Sequence, residues 1–247
     1  MREKYLDIKR KLFNKAYSSL NAPQRESVFT TRGPLLILAG AGSGKTTVLV
    51  KRIAFIIKYG NAYYSDYVPV NISDKDLVRY EAALDLTPAE IEPYLSEFSF
   101  EPCPPYAVLA ITFTNKAANE MRQRIAKMVG EEMSARLWMG TFHSIFSRIL
   151  RHECAHLGFN KDFTIYDASD SKSLIKNIIK EMQLDDKTYK PSSVASRISM
   201  AKNSLILPSA YQADRRNLDA DMQAKMPAIG QIYMQYWTRC RQSNVMD

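Results

Sequence analysis

Ala39-Gly40-Ala41-Gly42-Ser43-Gly44-Lys45-Thr46 ends in Gly-Lys-Thr and lies between two very different neighbours. Upstream, Pro34-Leu35-Leu36-Ile37-Leu38 is a short apolar run of the kind that forms a fully buried strand in a parallel sheet. Downstream, Thr46 to Tyr59 places Val48, Leu49, Ile53, Phe55, Ile56 and Ile57 largely on one helical face. Strand, glycine-rich turn and helix are the setting in which backbone N–H groups converge on a polyphosphate, because Gly42 and Gly44 leave no side chains to crowd the turn. The phosphates then sit at the positive end of the helix, with Lys45 on the β/γ oxygens and the Thr46 hydroxyl on Mg²⁺. The expected nucleotide-binding set is Gln24 and Arg25 with Ala39 to Gly44, Lys45, Thr46 and Thr47. Ala39 stands where such loops usually carry their first glycine.

The chain has 247 residues, enough for one large domain or two smaller ones, and its 46% hydrophobic content supplies a core. Its apolar runs are far shorter than a membrane span, and Met1-Arg2-Glu3-Lys4 leads into no signal-peptide core, so a cytoplasmic location is the expectation. A net charge of +8 suits a polyanionic partner. Cys103, Cys154 and Cys240 are odd in number and widely spaced, which points to reduced thiols rather than a disulfide framework or a cysteine zinc site.

Ahead of the loop, Tyr5, Ile8, Leu12 and Ala16 recur at helical spacing beneath a lysine-rich face. A second helix is expected from Asn21, the N-cap, with Pro23 in its first turn; it delivers Gln24 and Arg25 about twenty residues before the phosphate loop. A glutamine amide there has the paired donor and acceptor that adenine recognition needs. Residues 60–105 change character, with Tyr63, Tyr64 and Tyr67, several prolines and many acids, and they read as a peripheral insertion. Within it, Thr87-Pro88-Ala89-Glu90 is a capping box opening a helix to about Glu97, and Glu101-Pro102-Cys103-Pro104-Pro105 is an extended connector.

The core resumes with Tyr106 to Phe113, a second buried strand running into Thr114-Asn115-Lys116 and a helix to about Val129. A third strand, Leu137-Trp138-Met139, runs into Gly140-Thr141-Phe142-His143-Ser144 and another helix. Ligands of open α/β sheets bind beyond the strand carboxyl ends, so Thr112, Phe113, Thr114, Asn115 and Lys116, with Thr141, Phe142 and His143, are expected on the edge that carries the phosphate loop. Two tips pairing an aromatic with hydroxyls and amides, flanked by Lys116, Arg122, Arg124, Arg148 and Arg151, suit single-stranded nucleic acid. Phe113 and Phe142 are equally consistent with core packing.

Leu20 to Arg25, Leu38 to Thr46, Ile111 to Ala118 and Gly140 to Ser144 resemble, in order and spacing, the first motifs of the UvrD/Rep DNA helicases of superfamily 1. The resemblance continues through Phe163-Thr164-Ile165-Tyr166-Asp167, Ala201-Lys202-Asn203 and Asn244-Val245-Met246-Asp247. It implies that Gln24 reads adenine, that Lys45 and Thr46 hold the phosphates of ATP and Mg²⁺, and that Phe113, Thr114, Asn115, Thr141 and His143 line a single-strand track. It also implies 3′ to 5′ translocation and unwinding of forked DNA. Thr47 departs from members with arginine at that place.

The fold expected is α/β, a RecA-like P-loop NTPase sheet with a helical accessory subdomain. Residues 1–152 would form the first RecA-like domain with its insertion at 60–105, 153–220 the helical subdomain, and 221–247 a helix returning to the first domain. Only three core strands are visible where such a sheet needs about five or six. The second magnesium carboxylate, its neighbouring glutamate and the phosphate-sensing arginines are expected in a C-terminal half beyond residue 247. Tyr166-Asp167-Ala168 lacks the glutamate and reads as a false match to that carboxylate motif. His152-Glu153-Cys154-Ala155-His156 fits the zinc-protease spacing but has no downstream ligand motif, and it reads as a polar helix end before Gly158. Two alternatives to a helicase motor are the helicase part of a RecB/AddA-like helicase–nuclease and a non-catalytic nucleic-acid-binding module with a structural nucleotide pocket.

Overall fold

Tyr5, Ile8, Leu12 and Phe13 form the buried stripe of α1 (Arg2–Ala16), the first helix of a computed structural model that describes residues 1–247. The chain divides into two compact units, Met1–Phe146 and Ser147–Asp247. This differs from the three segments expected, since the division falls at 146 rather than 152 and residues 221–247 belong with 147–220.

In the first unit α1 is followed by α2 (Ala22–Phe29) and α3 (Lys45–Tyr59), which pack against each other. α3 is buried on two sides rather than one. Val48, Phe55 and Tyr59 join a core with α1 and α2, whereas Val50, Ile53 and Ile57 join a second core with Ala110, Met121, Ile125 and Met139. The insertion forms α4 (Asp74–Ala82) and α5 (Pro88–Glu97), and both helices pack on α1. At the start of α5 the Glu90 carboxylate accepts from the Thr87 N–H at 2.8 Å and the Thr87 hydroxyl at 2.7 Å, which makes the expected cap.

The insertion leaves and returns at one point. The Asn61 N–H donates to the Phe100 carbonyl at 2.8 Å, and the Phe100 N–H donates to the Tyr59 carbonyl at 3.0 Å. Gly60 has φ of 61°, and a Cβ there would sit 2.2 Å from the Phe100 oxygen, so only glycine fits this stitch.

β1 (Leu109–Thr112), α6 (Asn115–Val129), α7 (Glu131–Ala135) and β2 (Trp138–Thr141) make a parallel crossover unit in which Leu109 pairs with Trp138 and Thr112 with Thr141. Both strands are four residues long: the first is shorter than the expected run from Tyr106 because Pro105–Ala107 forms a 3-10 turn instead of joining it, and the second begins one residue later than expected and runs on to Thr141.

The strand expected at 34–38 is absent. The segment has no regular secondary structure and pairs with no strand, and Leu36 and Leu38 are 82% and 87% exposed. A doubly buried strand depends on neighbours on both edges for its hydrogen bonds and on helices for its faces, and the parallel pair β1–β2 supplies neither here. The molecule is accordingly mostly helical with small parallel sheets, as an incomplete α/β fold would be.

α8 (Phe142–Glu153) follows β2 directly. The second unit then contains β3 (Thr164–Ile165), α9 (Ala168–Glu181), α10 (Pro191–Asn203), α11 (Pro208–Ala213), α12 (Arg215–Gln223), α13 (Ile229–Gln242) and β4 (Val245–Met246). Its core joins Ile175, Ile178 and Ile179 of α9, Val194 and Ile198 of α10, Tyr211, and Ile232, Tyr233 and Tyr236 of α13. β3 and β4 pair in parallel, Thr164 with Val245 and Ile165 with Met246. α13 thus packs on α9, α10 and α11 in its own unit. No helix is long and apolar enough to cross a membrane.

Candidate nucleotide site and nucleic-acid interface

The phosphate loop has the backbone its sequence requires. Gly42 and Gly44 adopt φ of 76° and 78°, in the left-handed region, and Gly44 serves as N-cap of α3. The Ser43 hydroxyl donates to the Gly40 carbonyl at 2.7 Å and braces the turn. Lys45 lies folded along the loop, its Nζ donating to the Gly40 carbonyl at 2.7 Å and the Ala39 carbonyl at 3.3 Å. Thr46 and Thr47 are exposed in the first turn of α3, where helix N–H groups have no intrahelical partner.

Gln24 is held at both ends of its amide. Its Oε1 accepts from the Asn21 N–H at 3.0 Å, and the Gln24 N–H returns a bond of 3.0 Å to the Asn21 side chain, a reciprocal cap on α2. Its Nε2 donates to the Ser43 carbonyl at 3.0 Å, which ties α2 to the phosphate loop. Arg25 is turned the other way, its guanidinium donating to the Leu20 carbonyl. Between α2 and the loop lies a cavity of about 450 Å³, lined by Asn21, Pro23, Gln24, Ser43, Lys45 and Val48 among others. That volume is in the range of small-molecule sites. A cavity of about 520 Å³ in the second unit is walled by Leu205, Leu207, Tyr233 and Trp237 and contains no phosphate-binding turn, so the nucleotide assignment rests on the loop and not on cavity size.

One link between α2 and α3 escaped the sequence reading. Arg52, on the second turn of α3, donates from Nη1 to the Ser27 carbonyl at 2.7 Å and also bonds the Thr30 carbonyl, both at the C-terminal end of α2. Burial pushes its guanidinium pKa down. An arginine on an apolar helix looks like ordinary surface charge in the sequence, and nothing in the local pattern marks its target.

The register of β1 and β2 brings the two expected tips together. Thr112 pairs with Thr141, so the next residues, Phe113 and Phe142, emerge side by side with ring centroids 6.0 Å apart. Thr114 caps α6, its hydroxyl accepting from the Ala117 N–H at 3.1 Å, and Asn115 and Lys116 are exposed in the first turn. The Thr141 hydroxyl accepts from the Ser144 N–H at 3.3 Å, and His143 is exposed beside it. Both phenylalanines face solvent, and neither is part of the core.

The flanking cations divide by role. Arg122 is pinned to β2, its Nη2 donating to the Met139 carbonyl at 2.7 Å. Arg124 pairs with Glu120 one turn away at 2.6 Å. Arg151 donates to the Lys161 and Phe163 carbonyls at 2.7 and 2.6 Å and covers the Phe163 ring. Arg122 and Arg151 therefore serve the architecture, each with a guanidinium nitrogen engaged on backbone carbonyls. Lys116 is the expected cation that sits exposed next to the aromatic tips.

The two misleading motifs have structural explanations. Asp167 caps α9, accepting from the Ser169 and Asp170 N–H groups at 2.7 and 2.8 Å, and those bonds hold its carboxyl below the ordinary aspartate range. α8 ends at Glu153 and a 3-10 turn takes over Cys154–Leu157, so His152 and His156 do not share the face that an i, i+4 metal pair needs.

Comparison with known proteins agrees with these motifs. The UvrD/REP helicase N-terminal domain family matches residues 20–70 and 94–247, leaving out α1 and the middle half of the insertion. The ATP-dependent DNA helicase PcrA of Staphylococcus aureus is 36% identical over 234 residues, and that of Staphylococcus epidermidis is 35% identical over the same length. Each alignment covers 95% of this chain and 26% of the relative, so the chain spans about a quarter of the curated proteins it matches. On the family match and its ordered motifs, the chain belongs to the UvrD/REP helicase N-terminal domain family.

Proposed function

We propose that this chain is the N-terminal ATP-binding and single-strand-binding part of a DNA helicase that moves 3′ to 5′ and opens forked duplex. The observation that carries the reading is the phosphate loop, with two left-handed glycines, Lys45 folded over the turn and Gln24 bonded to its Ser43 carbonyl. An incoming triphosphate would take the Lys45 ammonium from the Gly40 carbonyl, a neutral acceptor, and give it an anionic one, a gain in charge-assisted bonding. The loop and helix N–H groups would complete the cradle. Thr46 would supply a hydroxyl ligand to Mg²⁺, whose chemistry is to neutralise charge on the β- and γ-phosphates. Gln24 would offer its amide to the adenine edge, exchanging the Ser43 carbonyl for the base.

DNA would lie along Phe113 and Phe142, with bases on the rings and phosphates near Thr112, Thr114, Asn115, Lys116, Thr141 and His143. Hydrolysis and stepping would need carboxylates and arginines from the remaining three quarters of a protein built like the relatives. The 247 residues alone should therefore bind nucleotide and turn over almost none.

Titration with a fluorescent adenine nucleotide is the test. Lys45→Ala is expected to weaken binding at least tenfold with the melting temperature unchanged, since the ammonium is exposed. Equal affinity in the variant would refute the phosphate cradle. DNA-stimulated multiple turnover from these residues alone, abolished by Lys45→Ala, would refute the need for the missing parts.

A further inference from the structure

α8 carries a third exposed ring that no motif accounts for. Phe146 follows Phe142 by one helical turn, and the two rings are parallel within 6° with centroids 6.3 Å apart. With Phe113 tilted 44° against Phe142, three phenylalanines form a stepped row from the end of β1 onto α8. They are 89%, 46% and 50% exposed, and no core cluster includes them, while Ile145 beside them is fully buried and fixes which face of α8 turns outward. Three large aromatics held in register on rigid elements and left in solvent are costly unless something flat and apolar covers them.

The border of the row says what that is. Thr112, Thr114, Asn115 and Lys116 flank Phe113 in the chain and Thr141 and His143 flank Phe142, which brings hydroxyl, amide and cationic groups to that end of the row. The first N–H groups of α6 open immediately after Phe113. Apolar flat faces beside anion-seeking groups match a single-stranded polynucleotide, which presents bases and phosphates at regular steps. A protein partner would call for a broader apolar patch than one row of rings.

We infer that Phe146 is a base-stacking residue that lengthens the single-strand track by one position beyond Phe142. The inference rests on the DNA-binding reading above. Stacking one base on an aromatic carries a roughly 5- to 100-fold effect on affinity when the ring is removed.

The experiment measures fluorescence anisotropy of labelled oligothymidine with the 247-residue chain. Phe146→Leu, which keeps apolar bulk without a π face, is expected to weaken binding roughly 5- to 100-fold, and Phe146→Tyr to leave it within about twofold. The salt dependence should not change, because no phosphate contact is removed. On an abasic strand of the same length, wild type and Phe146→Leu should bind alike. Phe146→Trp supplies an independent readout: its added emission should be quenched by oligothymidine and not by the abasic strand. Wild-type affinity in Phe146→Leu, or unquenched emission in Phe146→Trp at saturating oligothymidine, overturns the inference. If Phe113→Leu weakens binding and Phe146→Leu does not, only this extension of the track falls; if the wild-type chain does not bind oligothymidine, the DNA reading falls with it.

Discussion

Lys9 is a lysine in a place that lysines seldom occupy. It lies on the buried face of α1, 2% exposed, with its ammonium on the Ser65 carbonyl. Burial, helped by the neighbouring Arg10 charge and opposed by Asp66, lowers its pKa from 10.5 to about 8. Below about pH 8 both folded and unfolded chains hold the proton, and the folded state carries the whole desolvation penalty, on the order of 3 kcal/mol. Between about pH 8 and 10.5 the folded state has released the proton while the unfolded state keeps it, so the penalty fades and Lys9's contribution to stability rises with pH. Lys9→Met is expected to stabilise the protein by about 1 kcal/mol at pH 7, the removed charge outweighing the orphaned Ser65 carbonyl. Urea unfolding at pH 7, 9 and 10 checks this. The advantage of the variant should shrink as pH rises, and a gap that stays constant across the series would show that Lys9 does not titrate on folding.

At the scale of elements, α2 and α3 form a clamp around the cavity beside the glycine-rich loop, held at one end by Gln24 on the Ser43 carbonyl and at the other by Arg52 on the Ser27 and Thr30 carbonyls. Bonds from a charged donor to otherwise unpaired helix-end carbonyls are worth about 1.5–3 kcal/mol. Arg52→Met should therefore lower the melting temperature by several degrees. It should also weaken adenine nucleotide binding more than tripolyphosphate binding, because the cradle belongs to the loop and α3 while Gln24 rides on α2. Arg52→Lys, with one compact donor group in place of a fork, should recover part of both. Unchanged melting and unchanged nucleotide affinity in Arg52→Met would remove the clamp from the account.

This clamp marks the limit of what the sequence discloses. The loop, the Asn21 cap, the Thr87 box and the tips after β1 and β2 were legible because each depends on residues within a few positions of one another. The strand at 34–38 was misread because its pattern describes a buried segment, whereas burial depends on neighbouring strands that the pattern does not contain. Arg122 and Arg151 were misread because charge says nothing of the carbonyl a long side chain reaches. Phe146 was missed because one more phenylalanine on an amphipathic helix looks like core.

For the whole molecule the telling fact is where the first core draws its residues. α1 and the helices of the insertion lie largely outside the family match, yet Leu12 and Phe13 are fully buried among Phe29, Phe55 and Tyr59, residues of the matched part. Phe13 alone meets the rings of Phe29, Phe55, Tyr59, Tyr63 and Phe98, with centroids 5.4 to 6.4 Å apart. The N-terminal helix and the insertion are thus one structural addition, cemented through Phe13 to α2 and α3, the helices that border the cavity beside the glycine-rich loop. Truncating such a ring leaves a cavity that close-packed neighbours refill only in part, at about 3–5 kcal/mol. Phe13→Ala should cut hydrogen-exchange protection in α1, α2, α3 and α5 together. The second unit has its own core around Ile178, Val194, Ile232 and Tyr236, so α9, α10 and α13 should keep wild-type protection. Hydrogen exchange read by mass spectrometry distinguishes the outcomes. Loss spread equally over both units would mean that the chain unfolds as one cooperative body, and loss confined to α1 would mean that the addition is an appendage rather than a support for the cavity.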